Sequence, residues 1–600
     1  TFAAEICATT PAVVEELRIR HRFVILDEYQ DTSVGQTRLL GTIFGDHPVL
    51  AVGDPKQSIY GWRGASPGNM RRFHGDFRSR IVPPAEEPTF QLSISWRNDA
   101  KILDAANEVA SRLPEASDPG VTQLGTRPGA GDGQVSLSFP ETLDEEADAV
   151  AAWMRERIVI EGERTPPSGA VLLRARKLLP LFSAALTRAG VPNRVIGLGG
   201  LLSAPEVVDL RCAMRVAHDS TAGNELIRLL VGAKFQFGLA DVKAIHDVSR
   251  SLANRDVTME SLADEVRASK RELATGDDEV PLQEALDFLA ARIDAGKRGA
   301  GKKRDEPDTW LTGLSVEALR RIPHVSNLIG ELRRNVGLPI TNFVDATISI
   351  MGLDLEVTAN PGNIARIGNL DAFAEAAAAF ASAEPDAGLG AFLDWVEIAA
   401  GDDSLAPVQE QAEPGVVQLL SIHGSKGLEW DFVAVPRSVE GEMPSTSRDG
   451  LGWIRRGVIP YELLLDAHDR PELPWRGAET QKELADLMLE LKEQIKERND
   501  AEERRLAYVA YTRARHELLI SGSYWSAIHK SARKVSAFVD ELAAAGIIDV
   551  PPENTLESAP ASLAADSVAW PHRPFSQARL ERVEELAAAV ERARRDGALP

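Results

Sequence analysis

Two short apolar runs that stop abruptly at acidic residues constrain the fold of this chain most. Residues 23–26 read Phe-Val-Ile-Leu and end at Asp27-Glu28, and residues 49–52 read Val-Leu-Ala-Val and end at Gly53-Asp54. A continuous apolar run of this length is typical of a buried parallel strand. Helical sequence lies between the two runs, so we predict an α/β unit whose chemistry lies at the carboxyl ends of its strands.

A second α/β region follows, and a helical region interrupts it. The pattern predicts strands at residues 90–94 and 171–173 and a helix at 145–158. Residues 216–412 show a helical pattern that Pro and Gly break, without strand alternation. Strands return at 416–422, 432–435 and 517–521, and a linker rich in Pro and Ala leads to a charged helix at 577–595. We therefore predict a helical domain inserted into the second α/β region.

Composition excludes several classes of protein. Cys7 and Cys212 are the two cysteines of the sequence, too few for a disulfide framework, a zinc module or an iron–sulfur cluster. No run approaches the roughly 18 apolar residues that span a bilayer. We expect a cytoplasmic protein that does not use a membrane.

The charge distribution restricts any nucleic-acid site to a small area. Acidic residues exceed basic ones by 90 to 67, for a formal net charge of −23. Residues 51–80 are locally basic, because Asp54 and Asp76 are outnumbered by six cations: Lys56, Arg63, Arg71, Arg72, Arg78 and Arg80. A local excess of cations is what phosphate backbones require.

The acidic residues at the first strand end fit phosphate chemistry. A strand-end aspartate such as Asp27 can hold Mg²⁺ through water, and the adjacent Glu28 can polarise a water that attacks a γ-phosphate. Asp-Glu alone more often marks a solvated strand end, but the longer string with Gln30, Asp31 and Thr32 is more specific. Past the second strand, the amide of Gln57 could bond both a γ-phosphate and the attacking water.

Flat side chains beside an arginine follow in the same segment. Tyr60 and Trp62 offer ring faces next to Arg63, a combination that stacks a base and neutralises a phosphate. A lone tryptophan is more often a core residue. Because Trp62 stands between two glycines and beside arginine, we predict that it is exposed.

These strings resemble motifs of one enzyme family in order and spacing. Residues 24–32 and 53–65 resemble motifs II and III of the superfamily 1 DNA helicases related to UvrD, PcrA and Rep. Residues 95–98 resemble motif IV, 169–174 the strand that follows it, 418–430 motif V and 503–515 motif VI. The resemblance covers residues 23–521.

The resemblance implies an α/β fold with two RecA-like P-loop NTPase domains, the first incomplete and the second holding a mainly helical insertion. The expected boundaries are 1–88 for the first RecA-like domain, 89–215 and 413–545 for the second, 216–412 for the insertion and 546–600 for the linker and final helix. The sequence has no Gly-x-x-x-x-Gly-Lys-Ser/Thr loop. We therefore interpret the chain as a fragment that begins within the first RecA-like domain and expect it to be inactive on its own.

The resemblance also assigns roles to individual residues. Arg97 and Arg513 would reach the γ-phosphate, while Gly427 and Glu429 would contact the nucleotide together with Asp27 and Gln57. In a helix, Arg513 would share a face with Leu506, Val509 and Ala510. The alternative for Arg513 is a surface ion pair with Glu502 or Glu503. His423 would lie near DNA with Tyr60, Trp62 and Arg63, although a histidine alone is more often an ordinary satisfied one.

The function implied is an ATP- and Mg²⁺-dependent DNA helicase that moves 3′→5′ along single-stranded DNA and acts in repair or recombination. Its expected partners are single-stranded DNA, junctions of single- and double-stranded DNA, and repair or nuclease proteins. Two alternatives stay open: the helicase subunit of a RecB-like helicase–nuclease, and a catalytically silent DNA-binding scaffold. The basic stretch 296–304 nearly fits a phosphate loop, but Lys303 stands where Ser/Thr is required and no strand precedes it. We interpret it as a basic loop.

Overall fold

The computed structural model of the protein describes residues 2–78, 89–117, 121–159, 166–196, 201–202, 204–253, 280–297, 309–359, 364–401, 412–446, 452–454, 457–527, 529, 531–560 and 577–595. The chain divides into two compact units. Thr1–Ala204 and Glu397–Ala564 form the first, and Pro205–Val396 and Ala565–Pro600 form the second. All strands of the described chain belong to the first unit, which confirms the α/β prediction.

The amino-terminal part of the first unit is built on a parallel pair of strands. Val24–Leu26 (β1) pairs with Val49–Ala51 (β2), so both strands end at the same edge. Tyr29, Phe44 and Phe77 form the buried core beneath this pair. The helices of this part are Phe2–Thr9, Pro11–Arg20, Val34–Phe44 and Gly68–Asp76. Ser33 and Gln36 form a capping box that fixes the start of Val34–Phe44.

The prediction that both apolar runs are buried is wrong for one face of the pair. Ile25 is 61% exposed and Leu50 is 43% exposed, whereas Val24 and Leu26 pack on the core. Successive side chains of a strand point to opposite faces of the sheet. In the described part of the chain, the core of this region lies on the Val24 and Leu26 face.

A six-stranded, fully parallel sheet is the main element of the first unit. Its strands are Gln134–Ser138 (β5), Gly169–Leu173 (β6), Asn193–Val195 (β7), Val417–Ser421 (β8), Trp430–Val435 (β9) and Ala514–Ser521 (β10). Their order in the sheet is β5-β10-β9-β6-β8-β7. β6 and β8 are buried along their whole length, as expected for inner strands of a parallel sheet that is covered on both faces.

Helices cover both faces of this sheet. Leu143–Ile158 and Leu179–Arg188 pack on the face that includes Val171 and Leu419. The helices Ala100–Ala110, Gln481–Tyr511 and Ala537–Ala544 pack on the face that includes Leu172 and Leu420. β7 and β8 are paired neighbours in the sheet, although the second unit lies between them in sequence.

The strand predicted at residues 90–94 is much shorter than expected. Ile94–Ser95 (β3) pairs with Gly125–Thr126 (β4) in a separate two-stranded sheet, and residues 89–93 are not in a strand. Alternating apolar residues with no partner strand cannot form a ladder, because strand pairing supplies the backbone hydrogen bonds.

The described part of the second unit is helical. The helices that fall wholly or mostly in this unit are Pro205–His218, Gly223–Val231, Leu239–Ala253, Leu282–Lys297, Val316–Asn335, Ile340–Met351, Leu353–Thr358, Ile364–Ala383, Leu389–Gly401 and Gln577–Arg595. Phe343, Phe373 and Phe392 are among its buried core residues. Among all described residues, no helix is both long and apolar enough to cross a bilayer.

Candidate functional site

The first predicted site residues lie in the turn after β1. Asp27 and Glu28 are exposed, and an Asp27 carboxylate oxygen (Oδ1) accepts a 2.9 Å hydrogen bond from the Glu28 amide. Glu28 has a left-handed backbone conformation with φ of 51°, which is uncommon outside glycine and marks a constrained turn. Gln30 is buried behind this turn and donates from its side chain to Glu28. Its Oε1 accepts a 3.1 Å hydrogen bond from the amide of Asp54, which joins the two strand-end loops.

Lys426 ties the motif V segment to the same loops, and sequence reasoning missed it. Its Nζ lies 2.5 Å from Asp31 Oδ2, 3.6 Å from Glu28 Oε2 and 2.9 Å from the carbonyl oxygen of Gln57. Burial raises the pKa of Asp31, and the Lys426 ammonium partly opposes that shift. The available signal was a lysine between two glycines of the loop that follows β8, Gly424 and Gly427. Nothing in the sequence indicated which carboxylates it pairs with.

Gln57 is held between an acidic and a basic side chain. Its Nε2 donates to Asp54 Oδ2 at 2.9 Å, and its Oε1 lies 3.5 Å from the Nη2 of Arg513. Motif III and motif VI therefore meet at this glutamine, as the resemblance implies for residues that share a nucleotide.

Arg513 is buried, but not on the helix where we placed it. The helix Gln481–Tyr511 ends two residues earlier. The Arg513 guanidinium donates to the carbonyl oxygens of Val509 at 2.9 Å and Leu428 at 3.0 Å. Burial, reinforced by the nearby Arg97 cation, lowers the pKa of Arg513 to about 9.

The alternative of a surface ion pair for Arg513 is wrong. Glu503 pairs with Arg174 at 2.7 Å and Glu502 with Arg498 at 3.6 Å. Among the described residues, no carboxylate lies within ion-pair distance of Arg513. Its guanidinium is thus a buried cation whose hydrogen bonds all go to neutral groups.

The two predicted nucleotide contacts Arg97 and Glu429 bind each other. Arg97 Nε donates to Glu429 Oε2, and Arg97 also reaches the carbonyl oxygen of Thr512 at 3.3 Å. Arg515 Nε donates to the other Glu429 oxygen at 3.2 Å. Burial alone would raise the pKa of Glu429, but the hydrogen bonds from Arg515 and Arg97 hold it below its ordinary value. Nearby, Gly427 has a φ of 84°, a left-handed conformation that favours glycine.

Tyr60, Trp62, Arg63 and His423 form one aromatic and cationic cluster. Trp62 is 55% exposed, which excludes the core alternative. The Arg63 guanidinium carbon lies 5.6 Å from the Trp62 ring centre and 5.8 Å from that of Tyr60. His423 stands edge-on to Trp62 at 6.5 Å, and its carbonyl oxygen accepts a 3.3 Å hydrogen bond from the Tyr60 hydroxyl.

His423 is neutral in this setting. Burial, together with the neighbouring cations Arg174 and Arg176, lowers its pKa to about 3. A neutral ring can stack or form a hydrogen bond but cannot neutralise a phosphate. Any contribution of His423 to nucleic-acid binding is therefore one of shape and packing.

The predicted basic segment 51–80 is less basic at the surface than in sequence. Lys56 is buried and donates to the carbonyl oxygen of Thr122 at 2.9 Å, and burial lowers its pKa. Arg72 is paired with Asp469. Arg63 and Arg78 are exposed, whereas Arg80 lies outside the described residues. Of the basic stretch 296–304, residues 298–304 also lie outside them.

Comparison with known proteins shows similarity to helicases along most of the chain. The profile of the UvrD-like helicase C-terminal domain matches residues 90–524, and that of the UvrD/REP helicase N-terminal domain matches residues 2–78. The ATP-dependent DNA helicase UvrD1 of Mycobacterium leprae is 26% identical over 543 residues, which cover 85% of this chain and 56% of that protein.

Two further relatives are similar at the same level. A probable DNA helicase II homolog of Rickettsia felis is 25% identical over 565 residues, 92% of this chain and 68% of that protein. The DNA helicase II of Haemophilus influenzae is 25% identical over 449 residues, 74% of this chain and 53% of that protein. The chain thus spans between half and about two thirds of these relatives. Since the profile of the UvrD-like helicase C-terminal domain covers more than half of the chain, the chain belongs to the UvrD-like helicase family.

Proposed function

We propose that this chain is the motor part of an ATP- and Mg²⁺-dependent DNA helicase that moves 3′→5′ along single-stranded DNA in repair or recombination. The observation that supports this most is the buried Arg513 guanidinium beside Gln57, which has no carboxylate partner in the described chain. A buried cation is costly unless an anion compensates it. A triphosphate that meets Arg513 and Gln57 would be that anion.

The residues present fit a magnesium nucleotide. Asp27 would hold Mg²⁺, which commonly takes one or two carboxylates, water and substrate phosphates as ligands. The described residues contain no cluster of three or more His, Cys, Asp or Glu side chains that could hold a metal ion. Asp27 would therefore bind Mg²⁺ together with water and phosphate ligands. Gln57, Arg97 and Arg513 would contact the phosphates, with Gly427 and Glu429 beside the nucleotide. Bound ATP supplies the phosphoanhydride bond whose hydrolysis powers movement.

Glu28 would act as the general base. Its carboxylate is exposed, and its Oε2 accepts from Gln30 and lies 3.6 Å from Lys426 Nζ. The hydrogen bond from Gln30 and the nearby Lys426 cation hold the carboxylate in place, and it would take the proton of the attacking water. Arg513 and Gln57 would stabilise the charge that develops, an effect worth about 10³–10⁵ in rate for arginine fingers.

The aromatic cluster supports single-stranded DNA as the substrate. Exposed Trp62 with Arg63 over its face suits a base stacked on a ring and a phosphate beside a cation. Stacking is sequence-tolerant, because every base has a flat face. Phosphate contacts make binding weaken as salt rises. A cytoplasmic site of action, junction DNA and repair or nuclease partners belong to the same proposal.

The test measures ATP hydrolysis with and without oligo-dT, together with oligo-dT binding by fluorescence anisotropy at fixed low salt. This chain has no Gly-x-x-x-x-Gly-Lys-Ser/Thr loop, so we expect no hydrolysis from it alone. In a longer protein that supplies this loop, we expect hydrolysis that DNA stimulates and that Glu28→Gln abolishes while DNA binding is kept. Trp62→Ala should weaken binding by roughly 1–3 kcal/mol, about five- to 150-fold. Binding that depends on Trp62 without any hydrolysis in that longer protein would favour a silent scaffold. If Trp62→Ala leaves DNA affinity unchanged, the stacking role is refuted.

A further inference from the structure

A segment between motifs V and VI is fixed to the long helix that leads to motif VI. This segment, residues 457–470, contains the short helical turns Tyr461–Leu463 and Ala467–Asp469. Its end is held by Arg498 of the helix Gln481–Tyr511, which donates to the carbonyl oxygen of Asp469 at 2.7 Å. Internally, the Arg470 guanidinium donates to Asp466 Oδ2 at 2.8 Å and lies 5.0 Å from the Tyr461 ring centre. We call residues 457–470 the clasp segment.

The side chain of Asp469 contacts two residues near the Trp62 loop, Arg72 and Ser66. Arg72 donates to its carboxylate through two bonds, Nη1 to Oδ1 at 2.8 Å and Nη2 to Oδ2 at 2.9 Å. The hydroxyl of Ser66 donates to the same carboxylate. A bidentate pair of this kind is stronger and more directional than a single contact. Both side chains are partly buried, with exposed fractions of 34% for Arg72 and 21% for Asp469.

Ser66 directly follows residues 60–65, the loop that carries Trp62, and Arg72 lies on the next helix, Gly68–Asp76. The loop closes through Ala65, whose amide donates to the Tyr60 carbonyl oxygen at 3.2 Å. The next residue, Ser66, is held by its own amide to Thr32 and by its hydroxyl to Asp469. The position of the loop that carries Trp62 and Arg63 therefore depends on a contact from the clasp segment.

The same contact continues into the motif II string. Arg72 Nη2 donates to Asn69 Oδ1 at 2.9 Å, and Asn69 Nδ2 donates to the Thr32 carbonyl oxygen at 2.7 Å. Thr32 follows directly after Asp31, the partner of Lys426. A continuous chain of hydrogen bonds thus runs from Asp469 to the end of motif II.

We propose that Asp469 is a positioning residue for single-stranded DNA binding, which acts through Ser66 and Arg72 to fix the loop that carries Trp62 and Arg63. The clasp segment thereby takes part in DNA binding without touching a base. This inference rests on the proposed function, because it assumes that Trp62 stacks on DNA. Asp469 contributes order to the loop, so its loss should weaken binding mainly through Trp62, the residue that stacks on a base.

The experiment is a mutant cycle on the full 600-residue chain, with oligo-dT binding followed by fluorescence anisotropy. Asp469→Asn should weaken binding about three- to tenfold, since a charge-assisted bidentate pair is lost. In a chain that already has Trp62→Ala, adding Asp469→Asn should change the affinity by less than about twofold, which is the usual error of such cycles. Glu462→Gln is the matched control, because Glu462 lies in the clasp segment and pairs with Arg476 at 3.5 Å rather than with the loop.

A second variant guards against a folding defect at position 469. Arg72→Gln removes the same ion pair from the other side, together with the Arg72 bond to Asn69. It should therefore weaken binding by at least the same factor, and the double variant by no more than Arg72→Gln alone. Equal weakening by Asp469→Asn with and without Trp62 would overturn the inference, as would unchanged affinity in both single variants. If Trp62→Ala itself leaves affinity unchanged, the stacking function fails first, and that result is distinguishable from failure at Asp469.

Discussion

Replacing Lys426 with methionine should destabilise the first unit by leaving Asp31 without its cation. Lys426 is 7% exposed and Asp31 is 20% exposed, so water replaces the lost ion pair poorly. The second carboxylate oxygen of Asp31 is buried and has no hydrogen-bond partner among the described residues. Breaking a buried ion pair from one side costs about 3–5 kcal/mol. Since Asp31 keeps some exposure, we expect the lower end, about 3 kcal/mol.

The pH dependence of this cost follows from the direction of the Asp31 shift. Burial raises the pKa of Asp31 in the folded chain above its unfolded value. The folded chain therefore binds that proton more tightly, and the unfavourable term is present above the folded pKa and disappears as the pH falls through it. Loss of the Lys426 ammonium raises this pKa further. The cost of Lys426→Met should thus shrink as the pH is lowered from 7 towards the ordinary carboxyl value of about 4.

Scanning calorimetry at pH 7 and pH 5 tests this reasoning. With an unfolding entropy of roughly 0.8 kcal/mol/K for a unit of this size, about 3 kcal/mol corresponds to a melting temperature about 4 °C lower. Adding Asp31→Asn should restore most of the loss, because no buried charge is then left. Lys534→Met is the control, since Lys534 is 83% exposed in its pair with Glu440. A Lys426→Met chain as stable as this control, or one that Asp31→Asn does not rescue, would refute the reasoning.

Two more predictions concern charge in the same unit. Glu146→Gln should lower the free energy of unfolding by about 3–5 kcal/mol, because Glu146 is fully buried against Arg437. Asp148→Asn on the same helix should lower it by under about 0.5 kcal/mol, because its pair with Arg188 is exposed. Calorimetry that shows equal losses would contradict this. The pKa of His423 is lowered to about 3, so the unfolded chain takes up a proton near pH 6.5 that the folded chain resists. The melting temperature should therefore fall as the pH drops from 7 towards 3, and it should fall less in the His423→Gln chain. Equal decreases in the two chains would show that the pKa of His423 is ordinary.

The sequence predicted the elements whose signal is local. The strands predicted at 171–173, 416–422 and 432–435 lie within a few positions of β6, β8 and β9, and the helix predicted at 145–158 lies within Leu143–Ile158. The exposure of Trp62 also followed from its neighbours. Strand pairing was less accessible, so the strand predicted at 90–94 and the burial of Ile25 were wrong. Both depend on which partner covers a segment, and that partner is distant in sequence.

The site divides in the same way. Motif order assigns Asp27, Glu28, Gln57 and Arg513 to one class of chemistry. The helical pattern misplaced Arg513, since the helix ends at Tyr511 and its guanidinium is instead held by the carbonyl oxygens of Val509 and Leu428.

Tertiary structure alone decided which charges meet. The pairs of Lys426 with Asp31, Arg97 with Glu429 and Arg72 with Asp469 each join residues more than 300 positions apart. No periodicity or capping pattern extends over such a distance, because those signals come from backbone geometry within a few residues. Residue types and local order were therefore determined by the sequence. Burial, and with it the pKa of groups such as Asp31, Glu429 and Arg513, was determined by tertiary packing.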